Sequence, residues 1–420
     1  MSKTRDISIE LTSRGKKAVG FLVIVLLVSI LFRDPILIAT SGLLLFYVFM
    51  QYSVLKSKLD TIGGTLKTER IEGTVVAGEF YKDSLVFKDE FKDVVFESPF
   101  DNGVFSPSDV EGEYLFIFQP MLAGNYSSKG FIFEVRNRYD LCVGRGSLPV
   151  EFEVNVYPRV FPEAVRVMEY LLGGGAAYQG DVPYRLRGGG LEYAESRMYQ
   201  PGDPLKSFDW KAMARTLEPI VKQYYAEGGG GLLLAAELDA PDPVSADQLS
   251  AEFLRMVSSL VSAEYQFKLA ILEDNTLHGY VDEQPEYLLR MALRYALGDH
   301  VKAFKAYYML LDPFSEESVN KILSYTERDY SKEILYNDLL QSASSSEIHC
   351  ILISPLTGNP KNLLELLDKL RGIRYSIRYL DSTKPWLHAL SLKEAYTMWE
   401  QRRKISQILY EYGTQIVVPT

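Results

Sequence analysis

The chain has 420 residues, 47% of them hydrophobic, and a net charge of −10 at pH 7. That length supplies two globular cores beyond a membrane anchor. Two cysteines, Cys142 and Cys350, exclude a disulfide framework or a cysteine-built zinc site, and His278, His300, His349 and His388 lack metal-ligand or triad spacing.

The first predicted element is a membrane hairpin. Ala18 to Phe32 is an unbroken apolar or small run, Arg33-Asp34-Pro35 interrupts it, and Ile36 to Leu55 is a second run without charge. At about 1.5 Å per residue the second run spans roughly 30 Å, a full hydrocarbon core. The first spans only about 22 Å, so Lys17 and Arg33 must snorkel or the bilayer must thin. A signal peptide would also begin with a basic stretch such as Arg14, Lys16 and Lys17. The missing small-residue cleavage site and the immediate second apolar run favour an uncleaved hairpin.

Lys3, Arg5, Arg14, Lys16 and Lys17 precede the first run, and Lys56 and Lys58 follow the second, whereas the turn holds Arg33 beside Asp34. This pattern predicts both ends, and the soluble body, in the cytoplasm. Residues 1–60 carry eight Lys/Arg against four Asp/Glu, a net of +4, which leaves −14 for the rest of a chain at −10. An acidic body does not lie flat on anionic lipid, and it argues against a nucleic-acid partner.

From Gly64 to Val160 short β-rich runs recur: Gly73–Ala77, Ser84–Phe87, Asp93–Phe96, Tyr114–Phe118, Phe131–Val135 and Phe152–Val156. Asp101-Asn102-Gly103, Ala123-Gly124-Asn125 and Gly144-Arg145-Gly146-Ser147 read as the turns between them. The spacing predicts a β-sandwich of structural or docking type. Gly173–Gly175 and Gly188–Gly190 read as flexible linker, because neither carries the Lys-Ser/Thr of a phosphate loop.

The next stretch carries the most information. It runs from Tyr193 to Arg215, with Arg197, Tyr199, Pro201, Gly202, Asp203, Asp209, Trp210, Lys211 and Arg215, and is followed by Lys222 in Val221-Lys222-Gln223-Tyr224. Pro201-Gly202-Asp203 is a turn by its own chemistry. Opposite charges alternate around an aromatic pair, which predicts one connected cluster of Arg197, Asp203, Asp209, Trp210, Lys211 and Arg215. Its expected role is structural, locking the β-rich module to the domain that follows. A partner-facing surface is the second reading.

The order Arg-x-Tyr-x-Pro-Gly-Asp, then Asp-Trp-Lys, Ala-Arg and Val-Lys-x-Tyr resembles the signature of the DUF58 family. Lys129-Gly130, Asn137–Leu141, Val156-Tyr157-Pro158 and the N-terminal hairpin extend the resemblance over most of residues 15–360. The resemblance implies a membrane-tethered adaptor that works with a MoxR-type AAA+ ATPase, a C-terminal von Willebrand A-like domain and no established enzymatic activity or cofactor.

The C-terminal half alternates strand and helix. Strands are predicted at Leu232–Leu238, Phe267–Leu272, Ile348–Ile353 and Ile373–Leu380. Helices are predicted at Asp247–Glu264, Tyr287–Leu297, Lys321–Gln341, Asn362–Leu370 and Leu392–Leu409. This predicts a mostly parallel sheet with helices on both faces. A von Willebrand A domain places a metal after its first strand with an Asp-x-Ser-x-Ser motif. Here Asp239-Ala240-Pro241-Asp242-Pro243 keeps the first Asp but has prolines for both serines, and Ser354-Pro355 stands where Thr-Asp would. Asp239 and Asp242 are the metal candidates, and a solvated turn is the expected outcome.

The predicted organisation is a transmembrane helical hairpin at 1–60, a β-sandwich at 61–165, a linker and signature segment at 166–230, and an α/β, Rossmann-type, von Willebrand A-like domain at 231–420. The competing function is a membrane-linked hydrolase using Asp203 with Asp209 or Asp239 with Asp242. No activated nucleophile stands beside either pair. Carboxylates converging in a pocket would favour the hydrolase, and carboxylates spent on Arg and Lys would favour the adaptor.

Overall fold

The computed structural model describes residues 5–88, 94–137, 139–172, 187–199, 208–225, 231–263, 265–273, 276–280, 285–298, 324, 333–334, 348–357, 361–370, 375–380 and 383–417. The chain forms two compact units, Met1–Pro158 and Arg159–Thr420.

The first unit opens with a strand, β1 (Arg5–Leu11), before helices α1 (Ser13–Phe32) and α2 (Pro35–Thr65). Both helices are long and apolar enough to cross a membrane. The Thr12 hydroxyl caps α1 by accepting from the Gly15 N–H at 3.0 Å. Arg33 ends α1 in the left-handed region at φ 54°. Asp34 caps α2, accepting from the Ile36 and Leu37 N–H groups at 2.9 and 3.2 Å, and Pro35 occupies the first turn, where it needs no N–H. The Arg-Asp-Pro interruption therefore supplies one cap to each helix. Ser29 and Ser41 are buried in the hairpin and bond back to the Val25 and Leu37 carbonyls, while Phe21, Leu31, Leu43, Phe46 and Phe49 point outward.

Helix α2 outruns the apolar segment. Its last turns carry Leu55, Leu59 and Ile62 into the core of the β unit. That unit contains β2 (Arg70–Val76), β3 (Tyr81–Val86), β4 (Val94–Glu97), β5 (Gly103–Pro107), β6 (Glu113–Phe118), β7 (Gly124–Ser128), β8 (Phe131–Arg136), β9 (Cys142–Leu148) and β10 (Glu151–Tyr157). They form three sheets, ordered β1-β9-β8-β4, β2-β10-β7 and β3-β6-β5, around one aromatic core that includes Phe87, Phe96, Phe116, Phe118, Phe133 and Phe152. Alternation drives this burial: Tyr114, Phe116 and Phe118 point inward at every second residue of β6. β1 lies antiparallel to β9 and β2 lies parallel to β10, so the chain on either side of the hairpin is built into the same unit.

Gly144-Arg145-Gly146-Ser147 corrects the turn reading, because it lies inside β9. Gly144 is there for space: a Cβ at that position would sit 2.6 Å from Leu59 Cδ1.

The second unit contains α3 (Val160–Leu172), β11 (Arg187–Met198), α4 (Trp210–Thr216), β12 (Ile220–Tyr225), β13 (Gly231–Glu237), α5 (Pro243–Ser262), β14 (Phe267–Glu273), β15 (Thr276–Tyr280) and α6 (Pro285–Leu297). It continues with β16 (Glu333–Ile334), β17 (Ile348–Ile353), α7 (Lys361–Leu370), β18 (Tyr375–Leu380), a 3-10 turn (Pro385–His388), α8 (Leu392–Glu411) and β19 (Gln415–Val417). One mixed sheet is ordered β16-β15-β14-β13-β17-β18-β19. β14, β13, β17, β18 and β19 are mutually parallel, and β15 and β16 pair antiparallel. Leu233, Ala235, Cys350 and Leu352 pack with Leu363, Leu366 and Leu367 of α7 and Ile405 and Leu409 of α8. The intervening residues Leu232, Leu234, Ala236 and Ile351 are also buried, as expected of strands covered on both faces.

Gly188–Gly190 correct the linker reading: they lie in β11, antiparallel to β12, with a register shift after Gly188. A pairing partner thirty-odd residues on overrode the flexibility of the glycines. Gly173–Gly175 lie outside the described residues. So does most of the helix expected over Lys321–Gln341, where Glu333–Ile334 form strand β16 instead.

Candidate functional site

The signature folds as the β11–β12 ribbon with α4 between its strands. The Asp209 N–H donates to the Ile220 carbonyl at 2.8 Å, and Phe208 bridges to Val221, which is buried. This anchors the start of α4 on β12. Asp209 then caps the helix, its Oδ1 accepting from the Ala212 N–H at 3.0 Å. Lys222 Nζ lies 3.9 Å from the same oxygen, and the Ser196 hydroxyl donates to Oδ2 at 3.4 Å. The Ala212 N–H holds the Asp209 carboxyl below its ordinary range; burial opposes this, and the Lys222 charge adds to the lowering.

Tyr199, Phe208 and Trp210 form an aromatic row. Ring centroids are 5.2 Å apart for the first pair and 5.5 Å for the second, which stacks at 24°. The row ends in solvent, because Trp210 is 66% exposed. Lys211 and Arg215 are also exposed, and Arg215 Nε donates to the Lys211 carbonyl at 3.2 Å within α4. Leu217 closes α4 in the left-handed region at φ 59°, with its side chain 92% exposed. A glycine would close this helix without strain. The Leu217 N–H donates to the Met213 carbonyl at 2.9 Å, which closes the helix.

The structure thus joins Asp209 to Lys222 and Ser196, and joins Trp210 to Phe208 and Tyr199. It directs Lys211 and Arg215 into solvent. Pro201, Gly202, Asp203 and the Arg197 side chain lie outside the described residues. Ser196, Phe208 and Leu217 carry the geometry but were not singled out from sequence. The N-cap position before a short helix was the available signal for the Asp209 role.

The second candidate region is the carboxyl end of the parallel sheet beside β13 and β17, whose following strands β14 and β18 lie on opposite sides of the pair. Asp239 is exposed there. Asp242 caps α5, accepting from the Ser245 N–H at 2.9 Å, and Pro243 begins the helix. Pro243, one of the two prolines that break the metal motif, thus serves a helix start. Asp242 Oδ2, Ser245 Oγ and Thr357 Oγ1 are buried without a hydrogen-bond partner. Glu237, the last residue of β13, accepts from the Ser354 hydroxyl at 2.5 Å, and the Tyr379 hydroxyl donates to the Ser354 carbonyl at 3.0 Å. Burial pushes the Glu237 carboxyl up, the Ser354 hydrogen bond opposes this, and Asp239 adds to it. Among the described residues no three His, Cys, Asp or Glu side chains gather closely enough to hold a metal ion. Cys142 and Cys350 are buried free thiols.

These features define a class: two membrane-length helices, β-sheets, and a mixed α/β sheet preceded by a capped aromatic ribbon. Within it, residues 195–264 match the family described as "Protein of unknown function DUF58", a span from the end of β11 through α5. The chain is also similar to an uncharacterized protein of Mycobacterium bovis and to two of Mycobacterium tuberculosis. Each is 48% identical over 42 residues, which is 10% of this chain and 13% of the relative. No solved structure matches the chain.

Proposed function

We propose that this protein is a membrane-anchored adaptor that presents the signature ribbon to a MoxR-type AAA+ ATPase in protein-complex assembly. The carrying observation is the outward set Trp210, Lys211, Arg215 and Leu217, mounted on a helix whose cap and strand contacts hold it in place. Aromatic and arginine side chains on a preorganised mount are the composition of interface hot spots. The partner's identity comes from the resemblance of the signature to DUF58 proteins.

In this reading α1 and α2 span the bilayer with both ends in the cytoplasm. The entry of β1 and β2 into one unit supports a common side for the two ends, and the basic flanks support the cytoplasmic side. The β unit acts as a sandwich-type module. The second unit acts as a von Willebrand A-like domain, a reading supported by the order 3-2-1-4-5-6 that results when β13 is counted first and edge strand β16 is set aside. The hydrolase alternative is disfavoured for Asp203 with Asp209 because Asp209 is committed to a helix terminus and to Lys222, and for Asp239 with Asp242 because Asp242 caps α5 and Asp239 is exposed.

Capture of the full chain in mild detergent from its own cell, with and without nucleotide, tests the proposal. Recovery of a MoxR-type ATPase supports it, and repeated failure in both nucleotide states contradicts it. Protease protection in right-side-out vesicles tests the topology: digestion of the soluble body from outside contradicts the cytoplasmic placement.

A further inference from the structure

We propose that the 3-10 turn and the outer face of α8 form a docking wedge for an anionic lipid surface; this rests on reading α1 and α2 as the membrane anchor. Leu387, Leu390, Leu392, Tyr396 and Trp399 are all exposed, Leu390 by 98% and Leu392 by 89%. On α8 they are not scattered. Leu392, Tyr396, Trp399 and Arg403 recur at i, i+4, i+7 and i+11, which is one line along a helix. Tyr396 and Trp399 lie 6.1 Å apart by ring centroid, and the Arg403 guanidinium lies 5.6 Å from the Trp399 ring. A different face, with Arg402, Ile405 and Leu409, is buried.

The wedge is held rigidly. Ser391 caps α8, accepting from the Glu394 N–H at 3.2 Å. The Arg402 guanidinium lies 4.7 Å from the Trp386 ring centroid and donates to the Thr383 carbonyl, which fastens the 3-10 turn to α8. The leucines that follow the turn therefore project without a large ordering cost on contact.

Charge selects the occupant. With buried Arg402 set aside, residues 384–404 carry Lys384, Lys393, Arg403 and Lys404 against Glu394 and Glu400, a net of +2 in a chain at −10. Two copies meeting through this face would bring like charge together. An anionic headgroup layer attracts it, while the net −14 of the residues beyond 60 opposes contact through the acidic surface elsewhere. Leucine, tyrosine and tryptophan tips flanked by Lys and Arg are the chemistry of an interfacial helix. The hairpin keeps such a surface at high local concentration, so even weak insertion suffices.

The test uses the full chain, reconstituted into vesicles of brominated phosphatidylglycerol or brominated phosphatidylcholine. Trp210→Phe and Trp386→Phe leave Trp399 as the only tryptophan of the three. A parallel chain with Trp399→Phe and Phe46→Trp reports the hairpin. The proposal predicts quenching of Trp399 in the anionic vesicles, weaker quenching in phosphatidylcholine, and loss of quenching in a Leu390→Asp, Leu392→Asp chain with unchanged melting temperature. Quenching at position 46 without quenching of Trp399 overturns the wedge alone. Equal quenching of Trp399 in both lipids overturns its charge selection. Absence of quenching at both positions overturns the anchor and the wedge together.

Discussion

Gly144 in β9 and Leu59 in α2 occupy one space: a Cβ at Gly144 would lie 2.6 Å from Leu59 Cδ1, and Leu59 is fully buried. The contact joins the extension of an apolar helix to the sheet beneath it. Gly144→Val should destabilise the first unit by about 1–3 kcal/mol through overpacking. Leu59→Ala should cost about 2–5 kcal/mol through a cavity. Combining the two changes should lose less than their sum, because the new side chain fills the space vacated. Denaturant titration of the full chain in detergent measures all three, and simple additivity would show that the residues do not share the space.

Asp247 performs a comparable task in the second unit. Its carboxylate accepts from the Arg159 and Val160 N–H groups at 2.8 and 3.1 Å and pairs with the Arg159 guanidinium at 3.3 Å. A side chain on α5 thereby caps α3. Asp247→Ala removes the carboxylate beside the mostly buried Arg159 guanidinium and the acceptor of two amides, and should cost about 3–5 kcal/mol. Asp247→Asn keeps an acceptor and should cost less. Equal melting temperatures for wild type and Asp247→Ala would contradict this role.

Two carboxylates should shift stability with pH in opposite directions. Asp209 is held below its ordinary range, so its contribution is present above the unfolded pKa of about 3.9 and is lost as pH falls through the folded value. The deficit of Asp209→Asn relative to wild type should therefore shrink in acid. Glu237 is pushed up, so its contribution is complete below the unfolded pKa of about 4.3 and is lost as pH rises through the folded value. Glu237→Gln should stabilise at neutral pH and lose that advantage in acid. Thermal melts from pH 7 to pH 3 resolve both slopes, and a common sign for the two variants would refute the assignment.

Much of this architecture was legible because hydrophobic period is local. The apolar runs, the inward phenylalanines of β6 and the buried strands β13, β14 and β17 announce themselves in a few residues. What escaped depends on distant partners. β1 alternates Ile7, Ile9 and Leu11 with polar residues over a short stretch and becomes a strand by pairing with the distant β9, and β9 itself was hidden by its glycines, of which Gly144 makes room for Leu59. At the site, charge alternation pointed to Asp209 but not to its partners. Lys222 lies across the ribbon and Ser196 on the opposite strand, whereas the nearer Lys211 points into solvent. Strand pairing, which sequence spacing does not display, decides which charges meet.

On the proposed function the outward face of α4 meets an AAA+ ATPase. A photo-crosslinking side chain at Leu217, which is 92% exposed, probes that face directly in intact cells. The same group at exposed Val104 in β5 serves as the comparison. The expected result is an adduct with a MoxR-type ATPase from position 217 that is absent from position 104 and is abolished by Trp210→Asp. No ATPase adduct from position 217, or the same adduct from both positions, would contradict it.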